Sequence, residues 1–135
     1  AHDPVSRALD DAYALTQTRD IDARAAARVI PGFCRIALEA AFDQVIRRTR
    51  LRRGERHRDV EEQLERAKTL RQKASLALFD TIDQGNVEDE LRRMGGPKAV
   101  TTFKLCNKGA HGESVDDLEA LVREAGNLTR LVRQR

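Results

Sequence analysis

The residues whose types and spacing could do chemistry are Lys104, Asn107 and His111, within the segment PKAVTTFKLCNKGAHG at positions 97–112. Their spacing of i, i+3 and i+7 places all three on one side of a helix. An imidazole with a pKa of about 6.5 can both take and give a proton at neutral pH. A fixed cation stabilises charge that develops on phosphoryl oxygens. The pattern therefore suits metal-independent cleavage of RNA, in which the 2′-hydroxyl attacks the neighbouring phosphate.

A second interpretation of the same residues is structural. Asn107 and the glycines at 109 and 112 accept left-handed backbone conformations, so residues 107–112 also fit a helix end followed by a turn. In that case His111 takes no part in chemistry. The sequence leaves both interpretations open.

Arg35 and Glu39 form a second polar feature, at i and i+4 on a mainly apolar helix. Such a pair predicts a structural ion pair. It also permits a supporting role beside His111, because a partly buried ion pair can position its neighbours.

Residues 47–58 (RRTRLRRGERHR), called here the arginine cluster, hold seven arginines and one glutamate. Gly54 indicates a turn, so the charges gather at a helix end and its loop. The cluster predicts a phosphate-binding patch for nucleic acid, with candidate residues Arg47, Arg48, Arg50, Arg52, Arg53 and Arg56. The alternative is a solvated or partner-facing surface, since arginine is favoured near helix C-termini.

Composition sets the fold class. The chain has 135 residues, a net charge of +3, 35% charged residues and 4% aromatics, which predicts one all-α domain. No apolar run reaches the length of a membrane span and the first residues are polar, so a cytoplasmic protein without a leader is expected. Cys34 and Cys106 are expected to be buried reduced thiols. The His and Cys spacing does not fit zinc, and no metal or cofactor is expected.

The predicted architecture is a bundle of five to seven helices around a long central antiparallel pair. Residues 1–20 are expected to form an N-terminal helix and linker, and residues 21–135 the core. The central helix is predicted over residues 21–51, with Pro31 kinking or dividing it. Its inward face is expected to comprise Val29, Ile30, Phe33, Ile36, Ala37, Ala40, Val45 and Ile46.

Three later features complete the prediction. Residues 59–73 are expected to be helical, with a bend near residues 73–75 if the helix does not continue. A short helix over residues 87–94 is expected to end at Gly95-Gly96, with Pro97 opening the next. The last helix, over residues 114–135, is expected to begin with Ser114 and Asp117 as its capping pattern.

The segment FKLCNKGAHG (residues 103–112) with the helix that follows resembles the end of HEPN-type helical domains, which carry an Asn-x-x-x-His element there. RIALEAA (residues 35–41) resembles an Arg-x-x-Leu-Glu pattern of the same superfamily. More broadly, residues 28–131 resemble the C-terminal helical domain of large bacterial ATPases of the SMC/ABC type, connected with DNA repair or phage defence.

This resemblance implies a helical bundle, commonly a homodimer, associated with an ATPase domain in the same or a neighbouring chain. Active members are metal-independent RNases with an Arg four to six residues before a His. His111 takes the place of that His as acid and base, Asn107 that of the orienting polar residue, and Lys104 stands where Arg is usual. Because lysine cannot make the planar bidentate phosphate contact of arginine, a non-enzymatic dimerisation, docking or nucleic-acid-binding module is the alternative.

Overall fold

A computed structural model describes residues 3–83, 85–108 and 117–135, and within them it contains six α-helices and no β-strand. This confirms the predicted all-α bundle. None of the described helices is both long enough and apolar enough to cross a membrane. The helices are α1 (Pro4–Thr16), α2 (Ala23–Arg52), α3 (His57–Arg66), α4 (Leu70–Phe79), α5 (Val87–Lys108) and α6 (Leu118–Arg133).

The 30-residue helix α2 is the centre of the bundle and packs against each of the other five helices. Its fully buried residues include Ile30, Leu38 and Phe42, which form the core with apolar residues of α1, α4, α5 and α6. Asp3, which caps the start of α1, lies against Gln44 near the end of α2. Helices α1 and α2 therefore run antiparallel, joined by the short linker at residues 17–22.

Pro31 does not divide α2, which runs unbroken from Ala23 to Arg52. A proline inside a helix removes one backbone donor and crowds the preceding turn. Here Pro31 itself is buried, so its ring adds apolar contacts that offset part of that cost. The predicted division near residue 29 is wrong.

Part of the predicted inward face of α2 is exposed. Ile30, Ala37, Val45 and Ile46 are fully buried, as expected, but Val29 is 41% and Ile36 52% exposed. A helix buries only the sides that its neighbours reach. The N-terminal half of α2 keeps an apolar side that no described element covers.

The chain between α3 and α4 breaks earlier than the sequence predicts. Helix α3 ends at Arg66, and Thr69 caps α4: its hydroxyl oxygen accepts a hydrogen bond from the backbone N–H of Gln72. In return, the backbone N–H of Thr69 donates to Oε1 of Gln72. This capping box satisfies donors that would otherwise be unpaired at the helix start. It places the break at residues 67–69 rather than at 73–75.

Helix α5 consists of two pieces that meet at Gly96, as the glycine pair and Pro97 predict. Gly96 has φ +76°, a conformation that favours glycine. Gly95 lies against α6, because an added Cβ would come within 2.8 Å of Leu131 Cδ1. Substitution at Gly95 would therefore push α5 away from α6.

Asp117, one of the two residues of the predicted capping pattern, caps α6 by accepting a hydrogen bond from the backbone N–H of Ala120. Ser114 lies outside the described residues.

Asp3 joins three helices. Its carboxylate caps α1 and also accepts hydrogen bonds from Gln44 of α2 and Arg133 of α6. The hydrogen bond from Arg133, with those from Ser6, Gln44 and the Val5 backbone, holds the pKa of Asp3 well below its usual range despite its partial burial. The two ends of the described chain are thereby fastened to the central helix.

Arg50 is the buried cation of the bundle, with 3% of its side chain exposed. Its guanidinium donates to Gln63 Oε1 of α3 (2.9 Å) and to the carbonyl oxygen of Leu76 in α4 (3.2 Å). It also lies 2.8 Å from Asp80 Oδ1, just after α4. One side chain of α2 thus holds the positions of α3 and α4.

We expect Arg50→Ala to lower the free energy of unfolding by about 3 kcal/mol, because it removes the contacts that join α2 to Gln63, Leu76 and Asp80 together with the buried stem of the side chain. Urea denaturation followed by circular dichroism measures this change. Arg52→Ala, two residues along the same helix and exposed, is the matched control and should change stability by about 0.5 kcal/mol or less. Equal effects of the two substitutions would contradict a structural role for Arg50.

Candidate functional site

The polar residues predicted on α2 and α5 meet at the C-terminal end of α5. Arg35 Nε lies 2.8 Å from Glu39 Oε1, and Arg35 Nη1 donates to the backbone carbonyl oxygen of Asn107 at 3.2 Å. About a third of the Arg35 and Glu39 side chains is exposed. We call Arg35, Glu39, Lys104 and Asn107 the α2–α5 polar site.

The contact between Arg35 and Asn107 follows from how a helix ends. The last four carbonyl groups of an α-helix have no partner within the helix and carry partial negative charge. Asn107 is the next-to-last residue of α5, so its carbonyl group is open to an outside donor. Arg35 supplies that donor, and Glu39, one turn further along α2, holds the guanidinium in place.

Packing beneath the polar site fixes the distance between the two helices. Cys34 and Cys106, each one residue before a member of the contact pair, are buried free thiols, as predicted. Their thiols hydrogen-bond to one another: this contact lowers the pKa of Cys34, and the contact together with burial raises the pKa of Cys106. Phe103 is fully buried on the same side of α5. The α2–α5 polar site therefore rests on a rigid apolar support.

Lys104 is exposed, and its ammonium group forms no hydrogen bond or ion pair with any residue that the structure describes. Asn107 is half-buried on the next turn of α5. The ammonium group of Lys104 therefore belongs to the turn of α5 before Asn107, the residue whose carbonyl oxygen accepts the hydrogen bond from Arg35.

His111 lies outside the described residues, as do the two glycines of the segment at positions 109 and 112. The chain leaves α5 at Lys108, one residue after Asn107, and is described again from Asp117. Of the predicted triad, the structure thus describes Lys104 and Asn107 but not His111. Among the residues with described positions, no group of three or more His, Cys, Asp or Glu side chains could hold a metal ion.

Within the arginine cluster, the structure separates bound arginines from free ones. Arg47 makes a bidentate ion pair with Glu61 of α3, and Arg53 pairs with Asp80 after α4. Arg48 donates to the carbonyl oxygen of Arg133 in α6 at 2.8 Å. Together with the buried Arg50, four of the six predicted nucleic-acid residues contact the protein's own groups.

Arg52 and Arg56, the remaining two candidates, are exposed at the end of α2 and just before α3. Their side chains, like that of Arg58, make no hydrogen bond or ion pair with any described residue. Gly54 at φ +85° forms the turn between them. We call Arg52, Arg56 and Arg58 the loop arginines. They are the exposed members of the cluster whose guanidinium groups have no hydrogen-bond or ion-pair partner among the described residues.

The sequence offered no local signal for the partners of the bound arginines. Neither Glu61 nor Asp80 was singled out in the sequence as a partner of an arginine. The partners lie 14 residues from Arg47 and 27 from Arg53, so helix spacing does not pair them. Asp80 has a positive φ of 65° at the end of α4. Its pKa is lowered by the hydrogen bond from Arg53, with the charge of Arg50 acting in the same direction against partial burial.

Comparison of the chain with protein-family models, with curated proteins and with solved structures finds no match in any of the three. The resemblance to HEPN-type domains therefore stays a prediction from the quoted residues.

The lowered pKa of Asp80 predicts a pH-dependent stability. Its ion pairs stabilise the fold at pH values above the usual aspartate pKa of about 4, and this contribution is lost as the pH falls through the lower pKa of the folded state. Asp80→Asn keeps the size and tolerates the left-handed backbone. We expect the variant to be less stable than the parent at pH 7 and the difference to shrink towards pH 2, as measured by urea denaturation at each pH. A difference that does not change with pH would contradict this assignment.

Proposed function

We propose that the chain is a HEPN-like helical domain of the bacterial cytoplasm that binds RNA and cleaves it without a metal ion, in phage defence or DNA repair. The observation that carries the proposal is the contact of the Arg35–Glu39 pair with the carbonyl group of Asn107. It unites the two polar features, 72 residues apart in sequence, that the resemblance connects with a nuclease site. Lys104, an exposed cation, lies three residues before Asn107 on the same helix.

In the proposed reaction, the imidazole of His111 takes the proton from the 2′-hydroxyl as that oxygen attacks the phosphorus. The bond to the 5′-oxygen breaks, and the leaving oxygen receives a proton from the imidazolium. Lys104 is the phosphate clamp that stabilises the added negative charge. The side-chain amide of Asn107 orients the imidazole or the sugar. Arg35 and Glu39 are positioning residues that hold the end of α5.

Arg35 supplies a guanidinium group, which can make the planar bidentate phosphate contact that Lys104 cannot make. Its guanidinium is planar and uses one Nε and one Nη donor in the described contacts, so further N–H groups remain for a phosphate oxygen. In this proposal the domain acts as a homodimer. It works together with an ATPase domain, which lies in the same chain or in a neighbouring one.

We expect the chain to cleave a mixed pool of tRNA and single-stranded RNA in the presence of EDTA. His111→Ala should reduce the rate on the order of a hundredfold or more, because it removes both proton transfers. His57→Ala is the matched control: His57 is 75% exposed on α3, outside the proposed site, and its loss should leave the rate unchanged. Gel electrophoresis of end-labelled RNA measures both rates.

Intact RNA with every variant would reject the nuclease proposal for this chain and favour the non-enzymatic module. Cleavage that EDTA abolishes, or that His111→Ala leaves unchanged, would reject the mechanism.

The loop arginines favour a second candidate function, which is nucleic-acid binding without cleavage. Three unpaired guanidinium groups around one turn form a site for backbone phosphates. The bound arginines contribute less, because Glu61 and Asp80 already neutralise Arg47 and Arg53.

For this function we expect binding of single-stranded RNA to weaken as salt rises. Replacing Arg52, Arg56 and Arg58 by Gln should reduce the slope of log affinity against log salt by about 2, since each lost phosphate contact removes about 0.7. Fluorescence anisotropy at a series of salt concentrations measures the slope. A control chain with Arg66, Arg92 and Arg93 replaced by Gln loses the same net charge from α3 and α5 and should keep the parent slope. Equal changes in the two chains would indicate a general charge effect instead of a site.

A further inference from the structure

An apolar stripe runs along the outside of α2. Val29 is 41% exposed, Phe33 is half-buried and Ile36 is 52% exposed. Their spacing of four and then three residues places them on one side of the helix over about two turns. We call these three residues the α2 stripe. Exposed large apolar side chains in such a row are typical of a surface that another helix covers.

The same side of α2 is covered further along the helix. Asp43, seven residues after Ile36, forms an ion pair with Lys73 of α4 at 2.9 Å. Arg47, one turn later, forms its pair with Glu61 of α3. Helices α3 and α4 therefore cover this side from Asp43 onwards. At the α2 stripe, in contrast, Val29 and Ile36 are exposed and Phe33 packs only partly against the core.

We propose that a second copy of this chain covers the α2 stripe, with the two α2 helices antiparallel and a two-fold axis passing near Phe33. A two-fold axis brings the same patch of both copies together, so the patch has to complement itself. With Phe33 near the axis, Val29 of each copy lies opposite Ile36 of the other, within about one residue of register. One symmetric contact then covers the three residues of the α2 stripe in both copies.

Gly32 gives this contact room. It is half-buried beside the stripe, and a Cβ added there would meet no atom within 4 Å. A residue without a side chain at this point allows two helix backbones to approach closely. Phe33 of the second copy, which lies across from Gly32 in this register, is the side chain that would use that space.

The charges beside the stripe favour the antiparallel arrangement. Arg28 is exposed and pairs with no described residue. Glu39, 11 positions later, uses Oε1 for its ion pair with Arg35, and its Oε2 has no partner among the described residues. Arg28 and Glu39 lie on the same flank of the stripe at the helical angle of 100° per residue. An antiparallel two-fold contact joins like flanks and places Arg28 of each copy opposite Glu39 of the other. A parallel contact joins opposite flanks and leaves Arg28 unpaired.

The size of the surface predicts a reversible dimer. Seven residues of helix span about 10 Å, which is shorter than a standard protein interface requires on each side. We therefore expect a dissociation constant in the micromolar range rather than a permanent dimer.

This inference deepens the homodimer part of the proposed function. Its tests measure mass and cross-linking. They can therefore fail in a chain that cleaves RNA, and they can succeed in a chain that does not.

We expect sedimentation velocity to show a monomer–dimer equilibrium over a micromolar concentration series. Ile36→Asp should shift the chain to monomer at all concentrations, because the dimer would bury an unpaired carboxylate. Tyr13→Asp, at a 56% exposed residue on α1, is the matched control and should leave the equilibrium unchanged. Circular dichroism establishes that both variants fold. A parent chain that is monomeric at every concentration would overturn the proposal, including the outcome in which residues 109–116 of the same chain cover the stripe.

Cross-linking tests the register even if Ile36→Asp fails to fold. An equimolar mixture of Val29→Cys and Ile36→Cys chains should form a disulfide-linked pair under mild oxidation, while each variant alone should form at least tenfold less. Cys34 and Cys106 are buried, and the parent chain controls for their contribution. Efficient linking of Val29→Cys chains to each other would indicate a parallel contact and reject the antiparallel dimer.

Discussion

A guanidinium group that is taken out of water needs a partner for its charge and for its N–H groups. Arg50, near the end of α2, has these partners in Gln63 of α3, the Leu76 carbonyl group of α4 and Asp80 after α4. Any shift of α3 or α4 along α2 would break part of this set. The arrangement of the C-terminal half of the central helix therefore depends on one buried cation, and the arginine-rich stretch is as much a structural element as a charged surface.

The N-terminal half of α2 has a different organisation. There the polar contact of Arg35 with the end of α5 lies above the thiol pair of Cys34 and Cys106, while the neighbouring side of the helix is apolar and open. The proposed site and the proposed dimer surface thus lie on adjacent sides of the same turns. A second copy bound through Glu39 would bring charge close to Arg35, which gives self-association a direct physical route to influence the site.

Local patterns in the sequence predicted the helices well and their neighbours poorly. The Gly95-Gly96-Pro97 break and the buried cysteines depend on residues close in sequence, and the structure confirms them. Pro31 was expected either to kink or to divide α2, and the helix is not divided, since burial of the proline ring within a long packed helix offsets part of the cost of the lost hydrogen bond. The sequence analysis missed the start of α4 at Thr69, because the apolar periodicity of α3 continues into α4 without a break.

The sequence by itself determined the helical class, the central position of α2 and the placement of Lys104 and Asn107 one turn apart on one helix, because helical spacing and backbone preferences act over a few residues. Only the tertiary structure decided which arginines are neutralised, that Arg35 reaches Asn107, and which side of α2 stays open. These outcomes depend on contacts between residues 14 to 130 positions apart. Amphipathic periodicity shows that a side chain is apolar or charged, but the element that packs beside it determines whether it is buried, paired or free.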